Sequence, residues 1–444
     1  MDLTRIFKAY DVRGVYPEEL NEDIARRIGS AFAEFTGTSS IIVARDCRTS
    51  SPSLAAAFAE GVTRRGSGVV DIGLATTDML YFASGRLSQP GAMFTASHNP
   101  AHYNGIKLCR AGAAPVGADS GLEVVRDLVA QELPETAPSR GTVTTLDLVD
   151  EYIDHALSFV DVEKIAPLTV VADAANGMAG LVLPGIFDRL PAKLVGLYLE
   201  LDGTFPNHPA DPIQPENQAD LKRAVLEHHA EIGLAFDGDA DRVFLVDEKA
   251  QGVSGSLVTA LVAEAMLERE PGAKIVHNLI CSWVVPEVVR EHGGEPIRTR
   301  VGHSFIKKIM AETGAIFGGE HSGHYYFRDH FRADSGLIAA LFVLQRLSEA
   351  GVTLSELLAP YRRYEASGEI NSEVADQAAA TERVAEAFRD GKQDRLDGLT
   401  VEYEDWWFNV RPSNTEPLLR LNVEARSKEL LEEKTNRVLS VIRS

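Results

Sequence analysis

The sequence predicts an α/β fold, because short apolar runs alternate with segments that have the composition of helices. Residues 41–44 (IIVA) and 69–72 (VVDI) have the length of buried strands, and helices are expected over 54–65 and near 78–85. The pattern returns at 168–172, where an apolar run leads into the glycine-punctuated NGMAG. Strands that alternate with helices build mostly parallel or mixed sheets, which helices cover on both faces.

Changes in composition divide the chain of 444 residues into four segments. A Pro- and Ser-rich stretch at 134–141, a turn at 247–252 and a polar stretch at 361–372 predict boundaries near 145, 248 and 365. The expected domains are 1–145, 146–248, 249–365 and 366–444. Length alone, at ~150 residues per domain, predicts about three.

The overall composition excludes several classes of protein. Hydrophobic residues make up 45% and charged residues 25% of the chain, which is ordinary for a globular protein. The formal net charge of −21 argues against nucleic acid and anionic membrane as partners, and it means that an anionic substrate needs a local basic pocket. Cys47, Cys109 and Cys281 are far apart and read as reduced thiols, so we expect a cytoplasmic protein.

A short apolar run leads into a loop of polar groups four times. Residues 92–94 precede TASHNP, 234–236 precede DGDADR, 315–317 precede GGEHSGH and 407–410 precede RPSNTEP. Ligands of α/β sheets bind beyond strand ends, so the four loops are expected to face one cleft. The alternative is that loops are polar everywhere, but these four carry complementary chemistry.

The loop DGDADR predicts a metal site. Asp237, Asp239 and Asp241 are spaced at i, i+2 and i+4, so in an extended loop their carboxylates share one side. Two carboxylates ~4 Å apart repel by ~1 kcal/mol in water and by ~4 kcal/mol at an effective dielectric constant of ~20. Three together call for a cation, and carboxylate oxygens suit Mg²⁺. The glycine and alanine spacers favour a close approach of the backbone to a ligand.

Two other interpretations of this loop are possible. A calcium EF-hand also begins D-x-D-x-D, but its sixth position requires glycine, whereas Arg242 stands here and the apolar run 243–246 follows. The loop could also be a solvated acidic turn without a metal.

Ser97, in TASHNP, is a candidate nucleophile. A serine hydroxyl needs a base or a cation to become reactive. His98 is its neighbour, but adjacent side chains usually diverge and no G-x-S-x-G surrounds the serine, which argues against a hydrolase triad. A metal held by the aspartates offers another route, and Lys107 could supply a cation or relay a proton. Taken alone, the segment would be a capping turn.

The other two loops suggest ligand recognition. RPSNTEP offers Arg411, two hydroxyls, an amide and backbone N–H groups, which suits a phosphate, and Arg420 on the next strand could add charge. GGEHSGH has no Lys or Arg, and its Glu320 and Ser322 suit the vicinal hydroxyls of a sugar. Either loop could instead be a plain turn, and the loop histidines are weak evidence for a metal.

These four loops, in this order, resemble the α-D-phosphohexomutase superfamily, the phosphomannomutase and phosphoglucomutase enzymes. YDVRG near the start, FPNH at 205–208 and GHS at 302–304 are also similar to segments of that family. The resemblance spans nearly the whole chain. It implies four domains around a central cleft, three of them similar α/β domains and the last a smaller α+β domain.

The resemblance also implies roles for individual residues. Ser97 would carry a phosphoryl group and bind Mg²⁺ through it, together with Asp237, Asp239 and Asp241. Glu320 and Ser322 would hold sugar hydroxyls. The other residues of the recognition loops would complete the binding of the substrate and its phosphate: His324, Arg411, Ser413, Asn414, Thr415 and Arg420. The reacting centre would be lined by Arg13, His98, Lys107, Arg242 and His303, with Lys107 or His98 in acid/base roles. A basic residue expected within 278–283 is absent, and Arg290, Arg298 or Arg300 could replace it.

The implied reaction moves phosphate between O1 and O6 of a hexose, through a phosphoserine and a hexose 1,6-bisphosphate that also acts as an activator. If Glu320 holds O3 and O4, mannose and glucose phosphates are both substrates. Phosphoglucosamine mutase is the nearest alternative, and a Mg²⁺-dependent sugar phosphatase is a further one. A non-catalytic sensor could have discarded Ser97 and the aspartates, which are all present. The expected partners are hexose phosphates, with the protein a monomer or a weak homodimer.

Overall fold

The computed structural model describes residues 3–131, 133, 139–413 and 418–444, and its strands form four sheets that follow one another along the chain. The predicted α/β architecture of four units is confirmed. The first sheet contains seven strands: β1 (Val12–Val15), β2 (Ser40–Arg45), β3 (Gly68–Leu74), β4 (Gly91–Phe94), β5 (Tyr103–Arg110), β6 (Ala114–Pro115) and β7 (Val143–Thr145).

The second and third sheets contain five strands each. Those of the second are β8 (Thr169–Asp173), β9 (Lys193–Leu197), β10 (Ile232–Phe236), β11 (Val243–Asp247) and β12 (Gly252–Val253). Those of the third are β13 (Lys274–Asn278), β14 (Glu295–Thr299), β15 (Phe317–Gly319), β16 (Tyr325–Phe327) and β17 (Ala333–Asp334). The fourth sheet is entirely antiparallel and contains β18 (Glu365–Glu373), β19 (Lys392–Asp394), β20 (Leu399–Glu402), β21 (Trp406–Pro412) and β22 (Leu418–Ala425).

Helices connect and cover these sheets. Those of the first half are α1 (Glu22–Thr36), α2 (Ser51–Arg64), α3 (Thr77–Leu87), α4 (Leu122–Ala130), α5 (Val149–Leu157), α6 (Ala179–Phe187) and α7 (Ala219–Glu227). Those of the second half are α8 (Gly255–Arg269), α9 (Val284–Glu291), α10 (His303–Thr313), α11 (Gly336–Ala350), α12 (Leu354–Leu357), α13 (Gln377–Ala387) and α14 (Lys428–Ile442). Among the described residues no single helix is long and apolar enough to cross a membrane. The segments Gly336–Ala350 and Leu354–Tyr361 together have the length and composition of a membrane span, but the chain bends by 94° between them.

The strand order explains why the four polar loops are comparable. The first sheet has the order β1-β5-β4-β2-β3-β7, the second β12-β11-β10-β8-β9 and the third β14-β13-β15-β16-β17. Each has a parallel part, followed by an antiparallel pair that is consecutive in the chain: β4 with β5, β10 with β11, and β15 with β16. In the fourth sheet β21 and β22 form such a pair. Every one of the four loops joins an antiparallel pair of this kind.

The expected elements agree with the observed ones in most places. The predicted strands at 41–44 and 69–72 lie within β2 and β3, and the predicted helices at 54–65 and 78–85 coincide with α2 and α3 to within a few residues. The strand expected at 315–317 lies at Phe317–Gly319 instead, because those residues pair with β13 on one side and β16 on the other. The second sheet extends past 248, since β12 pairs with β11. The domain boundaries themselves stay predictions.

The first three sheets share one continuous core, whereas the fourth has its own. The largest apolar cluster includes Met93 of the first sheet, Leu234 of the second and Phe317 of the third. The core of the fourth sheet is separate and lies between its strands and the helices α13 and α14. The fourth unit is therefore attached through polar contacts rather than through a shared core.

One of these polar contacts joins two tryptophans. The backbone N–H of Trp283 and the indole N–H of Trp407 both donate to Glu424 Oε1, each over 2.9 Å. The centroids of the two indole rings are 6.5 Å apart. Burial raises the pKa of Glu424, although the two donors oppose the shift. This carboxyl is thus a buried joint between the third and fourth units.

Asp78 joins the first three units. It lies in α3, is buried, and accepts hydrogen bonds from the hydroxyls of Thr76, Tyr152 and Ser335. Tyr152 belongs to α5, and Ser335 caps the N-terminus of α11. Burial raises the pKa of Asp78 from 3.8 to about 6, against the opposing effect of the hydroxyl donors.

Replacing Asp78 with Asn should change how stability depends on pH. Because the folded state binds the Asp78 proton more tightly than the unfolded state, this carboxyl stabilises the fold at low pH, and that stability is lost as the pH rises through 6. Between about pH 5 and about pH 7 the wild type should lose about 1 kcal/mol relative to Asp78→Asn. Tm measured across this range tests the difference. Asp127→Asn, on an exposed face, is the control, and a Tm difference that does not vary with pH would contradict the account.

Candidate active site

Ser97 lies in the loop between β4 and β5, in a left-handed backbone conformation with φ of 50°. Its Oγ donates to Asp237 Oδ2 over 2.7 Å and lies 3.3 Å from His98 Nδ1. The expectation that the side chains of Ser97 and His98 diverge is therefore wrong for this loop. An extended serine would point away from its neighbour, whereas the left-handed turn brings the two together. Such a conformation costs a non-glycine residue roughly 1–3 kcal/mol, so the surroundings must hold it.

Arg48 is the residue that holds this loop. Its guanidinium is completely buried and pairs with Asp46 at 3.1 Å. Its remaining N–H groups donate to four loop carbonyls over 2.7–3.1 Å, those of Ser97, Asn99, Pro100 and Tyr103. Nothing in the sequence marks Arg48, because a buried arginine in a polar loop has the same local sequence as an exposed one.

The three aspartates of the second unit are buried side by side, at most 1% exposed. One carboxylate oxygen from each lies within 4.8 Å of the other two. Among the described residues, Asp239 Oδ1 and Asp241 Oδ1 are buried without a hydrogen-bond partner. Unpaired carboxylate oxygens in such a cluster are the ligands that a hard divalent cation prefers. The donor set therefore fits a metal.

Gly238 allows the two loops to meet. A Cβ at this position would lie 2.4 Å from the carbonyl oxygen of Ser97, so only glycine fits. A close backbone approach of the kind expected from the spacers is observed between Gly238 and the serine loop. Ala240, with φ of 61°, turns the chain toward Asp241.

Two cations oppose the charge of the aspartates. Lys107 Nζ lies 2.7 Å from Asp239 and 2.6 Å from Asp241, and Arg242 Nε lies 2.9 Å from Asp237. Burial alone would lower the pKa of Lys107, but the two carboxylates raise it well above its ordinary value. Burial raises the pKa of Asp237 to about 7, with Arg242 opposing. Lys107 is thus a firmly charged ammonium.

The neighbouring histidines differ in their protonation. The charge of Arg242 and burial hold the pKa of His98 well below 6.5, and burial does the same for His303. Both are neutral imidazoles at pH 7 and can accept a proton. In His324 burial is outweighed by Asp334, whose carboxylate lies 2.9 Å from Nδ1 and raises the pKa of the ring.

The sugar loop is anchored through Glu320. This buried carboxylate accepts a hydrogen bond from the backbone N–H of Gly302 over 2.9 Å, and others from Ser322 and Tyr326 over 3.3 Å each. The predicted pair of Glu320 and Ser322 is therefore brought together. Tyr326 lies in the apolar run YYF of β16, where its hydroxyl gave no sign of a role in the site.

Tyr10 connects this loop with the fourth unit. Its hydroxyl donates to the carbonyl of Val301 over 3.2 Å, and its ring packs edge-on against His303 at 5.3 Å. Burial raises the pKa of Tyr10, and the charges of Asp397 and Glu320 add to the shift, whereas Arg300 and Arg411 oppose it. Groups from the first, third and fourth units therefore converge on one tyrosine.

The arginines of the last loop lie at the edge of the same cleft. Arg411 and Arg420 face each other on β21 and β22, and both lie within 4 Å of Glu369. Arg411 also lies 3.6 Å from Asp397. Ser413 directly follows β21, and its N–H donates to the carbonyl of Leu418, whereas Asn414 and Thr415 lie outside the described residues.

Comparison with known proteins identifies the family. Models of phosphoglucomutase/phosphomannomutase match the alpha/beta/alpha domains I, II and III at 4–133, 150–252 and 254–364, and the C-terminal domain at 369–440. A phosphomannomutase of Salmonella montevideo is 44% identical over 99% of both chains. The phosphohexose mutases of Xanthomonas campestris pv. campestris are 41% identical over 98% of this chain and 99% of theirs. A phosphoglucomutase/phosphomannomutase family protein from Burkholderia thailandensis superposes with a TM-score of 0.89, at 34% identity over 99% of this chain and 97% of that one.

The chain belongs to the phosphoglucomutase/phosphomannomutase family. It is a phosphohexomutase, an isomerase that transfers phosphate within a hexose phosphate. The family is metal-dependent, and the cluster of Asp237, Asp239 and Asp241 offers the ligands for a metal.

The remaining predicted residues of this phosphohexomutase lie near the same loops. Arg13, on β1, donates to the side chain of Asn99 in the serine loop over 2.6 Å and pairs with Asp11. In the third unit Arg298 pairs with Asp394 and Glu402 of the fourth, and Arg290 donates to the backbone carbonyl of Pro286. Arg300, stacked on Phe305 at 4.5 Å, is the one whose charge reaches Tyr10.

Replacing Arg48 with Lys should impair the mutase from outside the cleft. An ammonium cannot span four carbonyls and Asp46, so several charge-assisted hydrogen bonds, each worth about 1.5–3 kcal/mol, are lost. We expect a lower Tm and at least about a tenfold lower kcat, because Ser97 is no longer held in its left-handed turn. Arg26→Lys on the outer face of α1 is the control. Wild-type kcat and Tm in Arg48→Lys would show that the serine loop keeps its conformation without the Arg48 guanidinium.

Proposed function

We propose that this enzyme interconverts the 1- and 6-phosphates of mannose, and also those of glucose, through a phosphoserine at Ser97 and a hexose 1,6-bisphosphate. The observation that carries the proposal is the position of the Ser97 hydroxyl. It is bonded to Asp237 in a buried cluster where two carboxylate oxygens lack partners among the described residues. A serine on an ordinary turn would have no reason to be buried against three carboxylates.

The surroundings of Ser97 also suit a phosphoryl group. Among the described residues, Arg242 Nη2 and Arg13 Nε are buried donors with no hydrogen-bond partner. A phosphoryl group brings acceptor oxygens, and guanidinium groups bind such oxygens strongly. These unpaired donors can therefore form hydrogen bonds with the oxygens of the transferred phosphoryl group.

The proposed reaction consists of two phosphoryl transfers. The P–O bond to Ser97 Oγ breaks as phosphorus bonds to the free hydroxyl of the hexose phosphate, and the hydroxyl proton passes through the neutral imidazole of His98 to Ser97 Oγ. The bisphosphate turns over and returns its other phosphoryl group to Ser97, which restores the enzyme and releases the isomer. In the second transfer the proton takes the reverse path. The transition state is loose and anionic, so positioning and charge do most of the work. Lys107, as a charged ammonium, would donate a hydrogen bond to the transferred group, and the neutral imidazole of His98 would accept the proton.

We propose Mg²⁺ as the metal, held by Asp237, Asp239 and Asp241 together with an oxygen of phospho-Ser97. When bound, it would neutralise charge on the phosphoryl oxygens. Lys107 and Arg242 already balance part of the aspartate charge, so they keep the loop in place for the metal and the phosphoryl group alike.

Each recognition loop would bind a different part of the substrate. Arg411, Ser413, Asn414 and Thr415, assisted by Arg420, would hold the phosphate that does not react. Glu320 and Ser322, with His324 beside them, would hold two sugar hydroxyls. A pair that grips O3 and O4 does not sense the configuration at C2, which supports activity on both mannose and glucose. The name of the Salmonella relative, a phosphomannomutase, supports mannose rather than glucosamine as the sugar.

We further propose that the enzyme works in the cytoplasm, as a monomer or weak homodimer. We expect small hexose phosphates as partners, and the net charge of −21 argues against nucleic acid and membrane. The free thiols of Cys47, Cys109 and Cys281 support a reducing compartment.

The phosphoserine is tested with Ser97→Ala. We expect no uptake of a phosphoryl group from glucose 1,6-bisphosphate, measured by intact-protein mass spectrometry, and a loss of kcat of roughly 10⁴-fold or more. Ser322→Ala, a serine of the same cleft, is the matched control and should still be phosphorylated. Wild-type turnover in Ser97→Ala would remove the proposed role. Release of free phosphate faster than isomerisation in the wild type would favour the phosphatase.

The metal site is tested with Asp239→Asn. Removal of one carboxylate charge should raise the Mg²⁺ concentration needed for half-maximal activity by about tenfold or more. Asp329→Asn, exposed and outside the cleft, should leave it unchanged. An unaltered Mg²⁺ requirement in Asp239→Asn would exclude the three-aspartate site.

A further inference from the structure

A second cavity lies outside the cleft, between the first and third units. It has a volume of about 580 Å³. One wall is the segment that follows β5, with Phe35 at the end of α1 and Val124 on α4. The other wall is the outer face of α10 with Phe331 and Arg332. Arg110, which contributes to it, stands three residues beyond Lys107 on β5, on the order of 10 Å along the strand. We call this cavity the basic groove.

Basic side chains dominate the polar surface of the basic groove. Arg110, Lys308 and Arg332 line it and are exposed, and none of them forms an ion pair with any residue that the structure describes. Asp119 is the one acidic residue among the lining residues. In a chain of net charge −21, where most arginines are paired with carboxylates, a convergence of unpaired cations creates a local site for an anion.

The side chain of Arg110 and the backbone of Arg332 are each held in a defined position. The guanidinium of Arg110 stacks on the ring of Phe35 at 4.9 Å, which leaves its other face and its N–H groups directed away from that ring. Phe331 and Arg332 are consecutive non-glycine residues in the left-handed region, with φ of 54° and 62°. Backbone of this kind is retained where the surrounding structure holds it, and it is concentrated at functional sites.

One side of the basic groove is apolar, whereas Ser120, Ser304 and Lys307 add polar groups elsewhere in its lining. Ala113, Ala114 and Pro115 line one side, and Val124 leaves 52% of its surface uncovered. A hexose phosphate would need several acceptors for its hydroxyls, whereas Asp119 is the one carboxylate among the described residues that line the groove. The volume lies within the range of about 300–1,000 Å³ that is usual for sites of small organic ligands.

We propose that the basic groove binds a nucleotide. The phosphates contact Arg110, Lys308 and Arg332, and the planar base lies against the apolar wall. This site is separate from the cleft, and the proposal does not depend on the reaction proposed above.

The test is isothermal titration of the full-length enzyme with ADP, GDP, CDP and UDP, in the presence of saturating mannose 1-phosphate to fill the cleft. We expect saturable 1:1 binding of at least one of them, with the corresponding nucleoside and inorganic diphosphate each at least about tenfold weaker. Arg110→Ala and Arg332→Ala should each weaken binding about tenfold, as expected for loss of a charge-assisted contact. Both variants should keep wild-type mutase turnover, which also reports that they fold.

A blocking variant makes the test independent of charge. Ala311 lies on the exposed face of α10 in the groove, so Ala311→Trp should abolish nucleotide binding while all three cations remain. Arg389→Ala, an exposed arginine of the fourth unit, is the control and should bind as the wild type does. The proposal is overturned if none of the four nucleotides binds at about 1 mM. It is also overturned if binding survives in both Arg110→Ala and Ala311→Trp, or if mannose 1-phosphate displaces the nucleotide.

Discussion

Three buried carboxylates are the constraint on which this structure depends. Asp237, Asp239 and Asp241 repel one another at close range and have lost most of their hydration, which is costly unless other charges and donors compensate. Part of the compensation comes from the first unit: Lys107 bridges two of them, and the hydroxyls of Thr77 and Ser97 donate to Asp239 and Asp237. The electrostatic demand of the second unit thus fixes its position against the first, and it places the serine where a metal and a phosphoryl group can meet.

The four loops are similar because each joins an antiparallel pair of strands, and they differ in the side chains that they carry. In each unit two strands adjacent in the chain pair antiparallel, and the loop that joins them carries the polar groups. Such connections are short and anchored at both ends by strand hydrogen bonds, so they hold side chains precisely enough for recognition. In the first three units this pair follows parallel strands, which lets a continuous core support three loops at once. The fourth unit has its own core and does not share the apolar cluster of the other three.

The sequence was sufficient for the fold class and the four loops, because strand length, loop composition and carboxylate spacing are local properties. It was insufficient where a residue acts over a long distance in the chain. Arg48 supports the serine loop from about fifty residues away, and Tyr326 reaches Glu320 from inside an apolar strand. The contact of Ser97 with His98 was also missed, since a left-handed serine has no signature in residue type. Among the arginines considered for the third unit, only the tertiary structure distinguishes Arg300, which faces Tyr10, from Arg298, which is paired with the fourth unit.

The contact at Glu424 makes the tryptophan emission of the protein sensitive to the position of the fourth unit. The chain has three tryptophans, and two of them, Trp283 and Trp407, meet across the boundary between the third and fourth units, while Trp406 is buried within the fourth core. Any change in the separation of these two units alters the polarity and the hydrogen bonding around both indoles at the boundary. The intrinsic ultraviolet emission of the native protein is therefore a label-free gauge of how the fourth unit sits over the cleft.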